Sequence, residues 1–246
     1  MQADFSVELG RDDPALELPW SSDGPSVRYY DLKANPELIT QIPEAAAYPL
    51  LAAFLARINA PGFPLATAKC DAWFSNDIFP EEEIFRADRK FVSYIDLVFV
   101  DEDVRQSFEK HEALAKELCR LLSHAPDLAA TVELIIRRCY FHNSQPVSEH
   151  AGGMEAFPLR QPGKAGAHCE MNRAEEAING GDAVNEFDVS PVRSTLDAPN
   201  ASTNGFNLTV YISGFGSGDS EPVRQWEIAL VLLQHATVQW SASRVS

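Results

Sequence analysis

The chain is poor in basic residues. Its 246 residues include 20 Lys and Arg against 36 Asp and Glu, which gives a formal net charge of −16. Proteins that bind nucleic acid or anionic membranes concentrate Lys and Arg where the phosphates lie. The composition therefore argues against both kinds of partner. The negative charge keeps a protein soluble, and through long-range attraction it favours a basic protein as the partner.

Cysteine is also sparse. The four cysteines lie far apart in the sequence and form no Cys-x-x-Cys pair. This spacing argues against a zinc ribbon and against a dithiol redox motif. We therefore expect free thiols, most of them buried.

Common enzyme and targeting signals are missing. The sequence contains no Gly-x-x-x-x-Gly-Lys-Ser/Thr phosphate loop, no Gly-x-Ser-x-Gly elbow and no His-Glu-x-x-His zinc motif. It therefore gives no reason to expect a cofactor. The first residues show no basic segment followed by an apolar core, and no apolar run approaches the length of a membrane span. We expect a soluble, cytoplasmic protein.

One succession of elements occurs twice in the sequence. Each copy has two strand-like runs followed by a helix, at residues 68–73, 91–100 and 103–123 in the first copy and at 137–141, 206–215 and 221–240 in the second. The two helices carry the same tripeptide, Val-Arg-Gln, close to their starts. The pattern predicts an α+β fold in a single domain, residues 1–246. We expect an antiparallel sheet with helices packed mainly on one face, built from two fused β-β-α units.

The second copy is longer because a stretch rich in Gly, Pro, Asn and Ser, residues 143–204, separates its two strands. Loops of this length are typically functional or disordered. Imidazole, thiolate and carboxylate groups together suit zinc, so a metal-dependent hydrolase is the alternative function. Scattered surface histidines are the other interpretation, because the spacing matches no known ligand pattern. The metal-ligand candidates are His142, His150, His168 and Cys169.

Two predicted helices have informative apolar positions. The helix over 103–123 has an apolar stripe from Val104 to Leu122, and His111 lies on it. We interpret His111 as a residue at the edge of the core rather than as a catalyst. The last helix contains six consecutive apolar residues, from Ile228 to Leu233. We expect it to be buried on all sides, with coverage by a second copy in a homodimer as the alternative.

Alternation along the strands separates a core face of the sheet from a polar face. One row of the run 91–100 carries no charge, so we place that row inward and Asp96 outward. The orientation of Arg137 and Arg138 is ambiguous by one residue, which a bulge would resolve. The polar face should gather acids, bases and aromatic residues: Lys69, Asp71, Trp73, Tyr94, Asp96, Arg137 or Arg138, Thr209 and Tyr211.

This polar face has two interpretations. It is either a solvated surface with cross-strand ion pairs or a surface that binds a ligand or partner. Trp73, Tyr94 and Tyr211 favour binding, because large aromatic side chains on a wet face are typical of binding surfaces. The sequence therefore predicts non-catalytic recognition of a protein or a small ligand, and it does not identify which.

Overall fold

A computed structural model describes residues 1–20, 28–125, 127–142 and 202–244. All of these residues belong to the unit formed by residues 1–144 and 200–246. The predicted insertion, 143–204, lies outside the described residues except for its last three positions, which begin a strand. The single domain stays a prediction. The strands and α-helices, in chain order, are β1 Gln2–Glu8, β2 Ala15–Leu18, α1 Pro43–Ala47, α2 Pro49–Ile58, β3 Leu65–Ser75, β4 Arg89–Phe99, α3 Glu102–Arg105, α4 Phe108–Leu122, β5 Ala130–His142, β6 Ser202–Gly216 and α5 Ser220–Ser243.

The strands form one mixed sheet in the order β1-β5-β6-β4-β3, with β2 also paired to β5. The strands β3, β4, β6 and β5 are antiparallel neighbours, whereas β1 and β2 run parallel to β5. The α+β class is confirmed, but the prediction of a purely antiparallel sheet is wrong. Alternation in a sequence shows which row of a strand faces the core, and it does not show the direction of the neighbouring strand.

Both β-β-α successions are present in the chain. The first consists of β3, β4 and the helices α3 and α4, and the second consists of β5, β6 and α5. The structural equivalence of the two units stays a prediction.

Helices α2, α4 and α5 enclose the main core against one face of the sheet. Phe91 and Ile95 of β4 and Trp226 of α5 are completely buried there. Ser93, a polar member of the same β4 row, accepts a hydrogen bond from the Trp226 indole N–H at 2.8 Å. The row of β4 that we placed inward therefore does face the core, and its buried hydroxyl has a partner.

Prolines and a capping serine divide the helical segments. Pro43 and Pro49 each occupy the first turn of a new helix, as expected from a residue that cannot continue the preceding one. The prediction of one helix over 103–123 is wrong, because α3 ends at Arg105 and α4 begins after Ser107. The Ser107 hydroxyl caps α4 by accepting a hydrogen bond from the Lys110 N–H at 3.3 Å.

The last helix is not buried on all sides. Trp226, Leu230 and Leu233 face the core, but Ile228 is 37% exposed. The six-residue apolar run thus covers the whole circumference of α5 while only one side of it is buried, which corrects our prediction. The homodimer alternative stays a prediction. Within the described ranges, every helix is too short or too polar to cross a membrane.

The opposite face of the sheet is covered at one end. The chain that follows β2 carries Trp20, whose indole N–H donates to the Ala68 carbonyl of β3 at 2.8 Å. Because β2 pairs with β5, this segment reaches from one side of the sheet to the other. A second, smaller core lies beneath it and includes Leu18, Val98 and Cys139. The Trp20 segment therefore leaves only part of this face uncovered.

The irregular strand is β3. Its pairing with β4 shifts between Thr67 and Cys70, so a bulge lies at residues 68–69. The strand β5 pairs with β6 without interruption from Ala130 to His142, and the bulge that we placed near Arg137 and Arg138 is therefore absent.

Candidate functional site

The candidate site lies on the sheet face opposite the helices, between two covers. The Trp20 segment covers one end of this face. At the other end the 3-10 helix Pro80–Phe85 lies against the sheet, with the Phe85 ring stacked on Phe215 at 4.4 Å between centroids. Beneath that helix the Lys90 ammonium, on a side chain that is almost fully buried, contacts the Glu82 carboxylate at 2.7 Å.

The strip between the covers contains one row of side chains that crosses five strands. Its members lie directly opposite one another in the pairing of β3, β4, β6, β5 and β1, and we call this set the acidic tyrosine row. In that order across the sheet they are Asp71, Tyr94, Tyr211, Glu133 and Asp4. Residues opposite one another on one face are close enough for their side chains to interact. Two tyrosines are therefore flanked by carboxylates on both sides.

The aromatic rings at the centre are in contact with one another. The Tyr94 and Tyr211 centroids are 5.8 Å apart, and the Trp73 ring is 6.2 Å from Tyr94 in an edge-to-face arrangement. Trp73 is 38% exposed, whereas both tyrosines are half-buried. Rings at these distances pack favourably against one another, and the surface is accessible at Trp73.

Two cations lie beside the tyrosines. The Lys69 ammonium is 5.3 Å from the Trp20 ring centroid and 5.9 Å from that of Tyr94. The Arg137 guanidinium contacts the Glu8 carboxylate at 2.8 Å and lies 5.7 Å from the Tyr211 ring centroid. The electron-rich faces of these rings already attract cations of the chain itself.

Asp96 lies on the predicted face, but it is not exposed. Only 6% of the residue is accessible. Its Oδ1 accepts hydrogen bonds from the Thr209 hydroxyl at 2.5 Å and from the Asn207 amide at 3.0 Å. Burial raises the pKa of this carboxyl, against the hydrogen bond from Thr209 and the charge of Arg137, which lower it. Asp96 is therefore almost completely shielded from solvent and lies beside the exposed strip rather than in it.

The titratable groups of the row respond to their acidic surroundings. Burial, followed by the charges of Asp96 and Asp71, raises the pKa of the Tyr94 hydroxyl. Partial desolvation and then the like charge of Glu8 raise the pKa of Glu133, with Arg137 acting in the opposite direction. The tyrosine therefore remains a neutral ring with a hydrogen-bond donor, and a negative potential surrounds it.

The structure brings together most of the predicted site residues. Lys69, Asp71, Trp73, Tyr94, Arg137 and Tyr211 share the strip. Arg138 belongs to the other row of β5, and it donates to the Leu9 carbonyl at the sheet edge. Asp96 is almost completely buried beside the strip.

Sequence reasoning missed three acidic residues. Glu133, Asp4 and Glu8 belong to this face through the pairing of β5 with β6 and β1. Glu133 and Arg137 share one row of an alternating strand, so the sequence contained a signal for Glu133. Asp4 and Glu8 could be added only once the neighbour of β1 was known.

Only one of the four predicted metal ligands lies in the described part of the chain, so the metal site stays a prediction. His150, His168 and Cys169 lie outside the described residues. His142 is described, and its Nε2 lies 3.8 Å from the Glu17 carboxylate. Within the described ranges, no group of three or more His, Cys, Asp or Glu side chains is arranged to hold a metal ion.

The described thiols are poor nucleophiles. Burial raises the pKa of Cys70 and Cys139 to about 12 and that of Cys119 to about 11. A thiol reacts as its thiolate, so these three remain protonated and unreactive at neutral pH. The chemistry that the strip offers is non-covalent: negative charge, ring faces and hydrogen-bonding groups. No protein-family model matches this chain, and no curated protein or solved structure is significantly similar to it.

Proposed function

We propose that this is a recognition protein that binds a basic segment of a partner protein on the acidic tyrosine row. The observation that supports the proposal most strongly is the row itself. Tyr94 and Tyr211 lie side by side at its centre, with Asp71 on one side and Glu133 and Asp4 on the other. Ring faces bordered by carboxylates are a favourable environment for Lys and Arg side chains.

The charge on the strip supports a cationic partner. Arg137 is paired with Glu8, so Lys69 is the remaining cation beside three carboxylates, Asp4, Asp71 and Glu133. The net charge of −16 adds a long-range attraction for basic proteins. A basic segment would neutralise this excess and would oppose the like charge of Glu8, which adds to desolvation in raising the pKa of Glu133.

The packing of the strip supports binding without a rearrangement. The three rings at its centre pack against one another, and strands rather than loops carry all of the side chains. Little side-chain entropy is then lost when a partner binds. Trp73 provides exposed aromatic area of the kind that dominates binding energy at protein interfaces.

The test uses a fluorescently labelled peptide of alternating Lys and Val residues and two variants with equal changes in charge. The site variant is Asp71→Asn with Glu133→Gln. The control variant is Glu37→Gln with Asp103→Asn, because both of these acids are exposed and lie outside the strip. We expect the site variant to bind about tenfold more weakly and the control to bind like the wild type.

Fluorescence anisotropy measures the affinities at low and at physiological salt concentration. Equal weakening in both variants would show general charge attraction in place of a site, and absence of binding by the wild type would also contradict the proposal. Circular dichroism of each variant confirms that it is folded.

A further inference from the structure

We propose that the basic segment binds in an extended conformation, as an added strand along the outer edge of β3 between Cys70 and Ser75. The inference rests on the proposed function for the nature of the partner, but the edge geometry that supports it is a separate observation. Among the described residues, β3 is the last strand of the sheet on its side. Pairing with an exposed strand edge is an established way for a protein to bind an extended peptide.

The direction of the backbone groups of β3 follows from the pairing. The Val100 N–H donates to the Pro64 carbonyl at 3.0 Å, so the even-numbered residues of β4 direct their backbone groups towards β3. Tyr94, Val92 and Lys90 are opposite Asp71, Trp73 and Ser75. Because directions alternate in an antiparallel pair, the intervening residues, Cys70, Ala72 and Phe74, direct their N–H and C=O groups outward.

The edge of β3 before the bulge is already satisfied by other parts of the chain. The Thr67 N–H donates to the Asn59 side-chain oxygen at 3.1 Å. At the bulge itself, the Ala68 carbonyl accepts from the Trp20 indole at 2.8 Å, so Trp20 lies against this part of β3. Lys69 projects from the bulge itself. Bulges and lysines are devices that protect a strand edge from pairing, so this half of the edge is closed.

The edge after the bulge lacks this protection. Among the described residues, the Ala72 N–H contacts only the carboxylate of its neighbour Asp71, at 2.7 Å, outside the sheet. The outward groups of Cys70 and Phe74 have no such partner in the described part of the chain. Trp73, Phe79 and Ile84, which are 38%, 54% and 61% exposed, follow in the same region of the chain. In the part of the chain that the structure describes, this edge is unpaired and carries the exposed Trp73, which favours strand addition.

Acidic groups lie on both sides of this edge. Asp71 is on the polar face, beside Tyr94. On the helix side, Glu44 belongs to α1, which contacts β3. Successive side chains of an added strand point to opposite faces, so a strand bearing Lys or Arg would meet negative charge on either side. A second copy of this chain would instead bring its own Asp71 to this edge, and two chains that each carry a net charge of −16 repel one another.

The test compares the alternating Lys and Val peptide with the same peptide methylated on its backbone nitrogens. Methylation removes the backbone donors and keeps the charge. We expect affinity to fall about tenfold or more on methylation, and also in the variant Ala72→Pro, because the replaced N–H points away from β4. Asp71→Asn with Glu133→Gln is measured in parallel.

Hydrogen exchange of the wild-type protein provides a second readout that does not depend on the folding of Ala72→Pro. The peptide should slow exchange in residues 70–75. If methylation changes neither the affinity nor this exchange while the site variant still loses binding, strand addition is wrong and the proposed function stands. If the site variant and the control bind alike, the proposed function itself fails. A dimer of the free protein that Ala72→Pro dissociates would overturn the inference in favour of a second copy.

Discussion

Replacing Asp96 with leucine should destabilise the fold far more than replacing it with asparagine. The carboxylate is buried, and its Oδ1 accepts from the Thr209 hydroxyl at 2.5 Å and the Asn207 amide at 3.0 Å. Both donors belong to residues that are only 1% exposed. Leucine would leave two buried donors without this acceptor, and water cannot replace it.

The magnitude follows from the cost of unsatisfied groups. A buried donor that loses its partner costs about 1 to 3 kcal/mol. Asn207 keeps a second bond, to the Thr209 oxygen at 3.0 Å, so its loss is at the lower end of that range. We therefore expect Asp96→Leu to lower the free energy of unfolding by about 2 to 5 kcal/mol. Asparagine keeps an acceptor and removes a buried charge, so its effect should stay within about 1 kcal/mol.

The pH dependence provides an independent check. Burial raises the pKa of Asp96 in the folded state above its ordinary value of 3.8. The folded state therefore holds this proton more tightly than the unfolded state does. The contribution of Asp96 to stability decreases as the pH rises from 3.8 through the folded-state pKa, and it is constant above both values. Across that window the stability of Asp96→Asn should rise relative to the wild type.

Urea unfolding followed by the fluorescence of the buried tryptophans Trp226 and Trp240 measures these differences. The reasoning would be refuted if the leucine and asparagine variants were equally stable, because the two hydrogen bonds would then contribute nothing. An asparagine variant whose stability relative to the wild type did not change with pH would refute the assignment of the raised pKa.

Two further predictions concern the main core. Burial lowers the pKa of His111, so as the pH falls the unfolded state binds a proton before the folded state does. Between pH 6.5 and pH 5 the free energy of unfolding of the wild type should therefore fall by up to about 2 kcal/mol more than that of His111→Gln. Urea unfolding measures this difference, and equal losses in the two proteins would contradict it. A Cβ at Gly214 would clash with the backbone of α5 at Pro222 and Trp226, whereas one at Gly216 would meet side-chain atoms of Glu221, of which Cγ is the nearest. Thermal unfolding should therefore show a loss of about 1 to 3 kcal/mol for Gly214→Ala and a clearly smaller one for Gly216→Ala, and a reversed order would contradict the packing.

Local alternation was enough to predict the two faces of the central strands. In β4 the inward row from Phe91 to Phe99 carries no charge, and in β6 Leu208 and Val210 alternate with Thr209 and Tyr211. A period of two residues identifies the core row of a strand whenever one of its rows is apolar. The central half of the candidate site therefore followed from sequence.

The remainder depended on contacts between distant segments. Trp20 covers the end of the face where Asp96 lies, and its indole N–H donates a hydrogen bond to the Ala68 carbonyl. The sequence around Trp20 does not indicate that this residue contacts β3. The position of Arg137 follows from uninterrupted pairing with β6, whereas that of Glu8 follows from the register of a parallel strand. Such registers depend on the whole sheet and cannot be predicted from the sequence of one strand alone.

The two central strands β5 and β6 are adjacent in space but distant in sequence. His142 pairs with Ser202 at the end of their ladder, so pairing these two strands is a loop closure over the whole intervening sequence. Closing this loop costs about 1 kcal/mol more chain entropy than closing the much shorter connection between β3 and β4. We therefore expect β3 and β4 to pair at a lower cost in chain entropy, before β6 joins them.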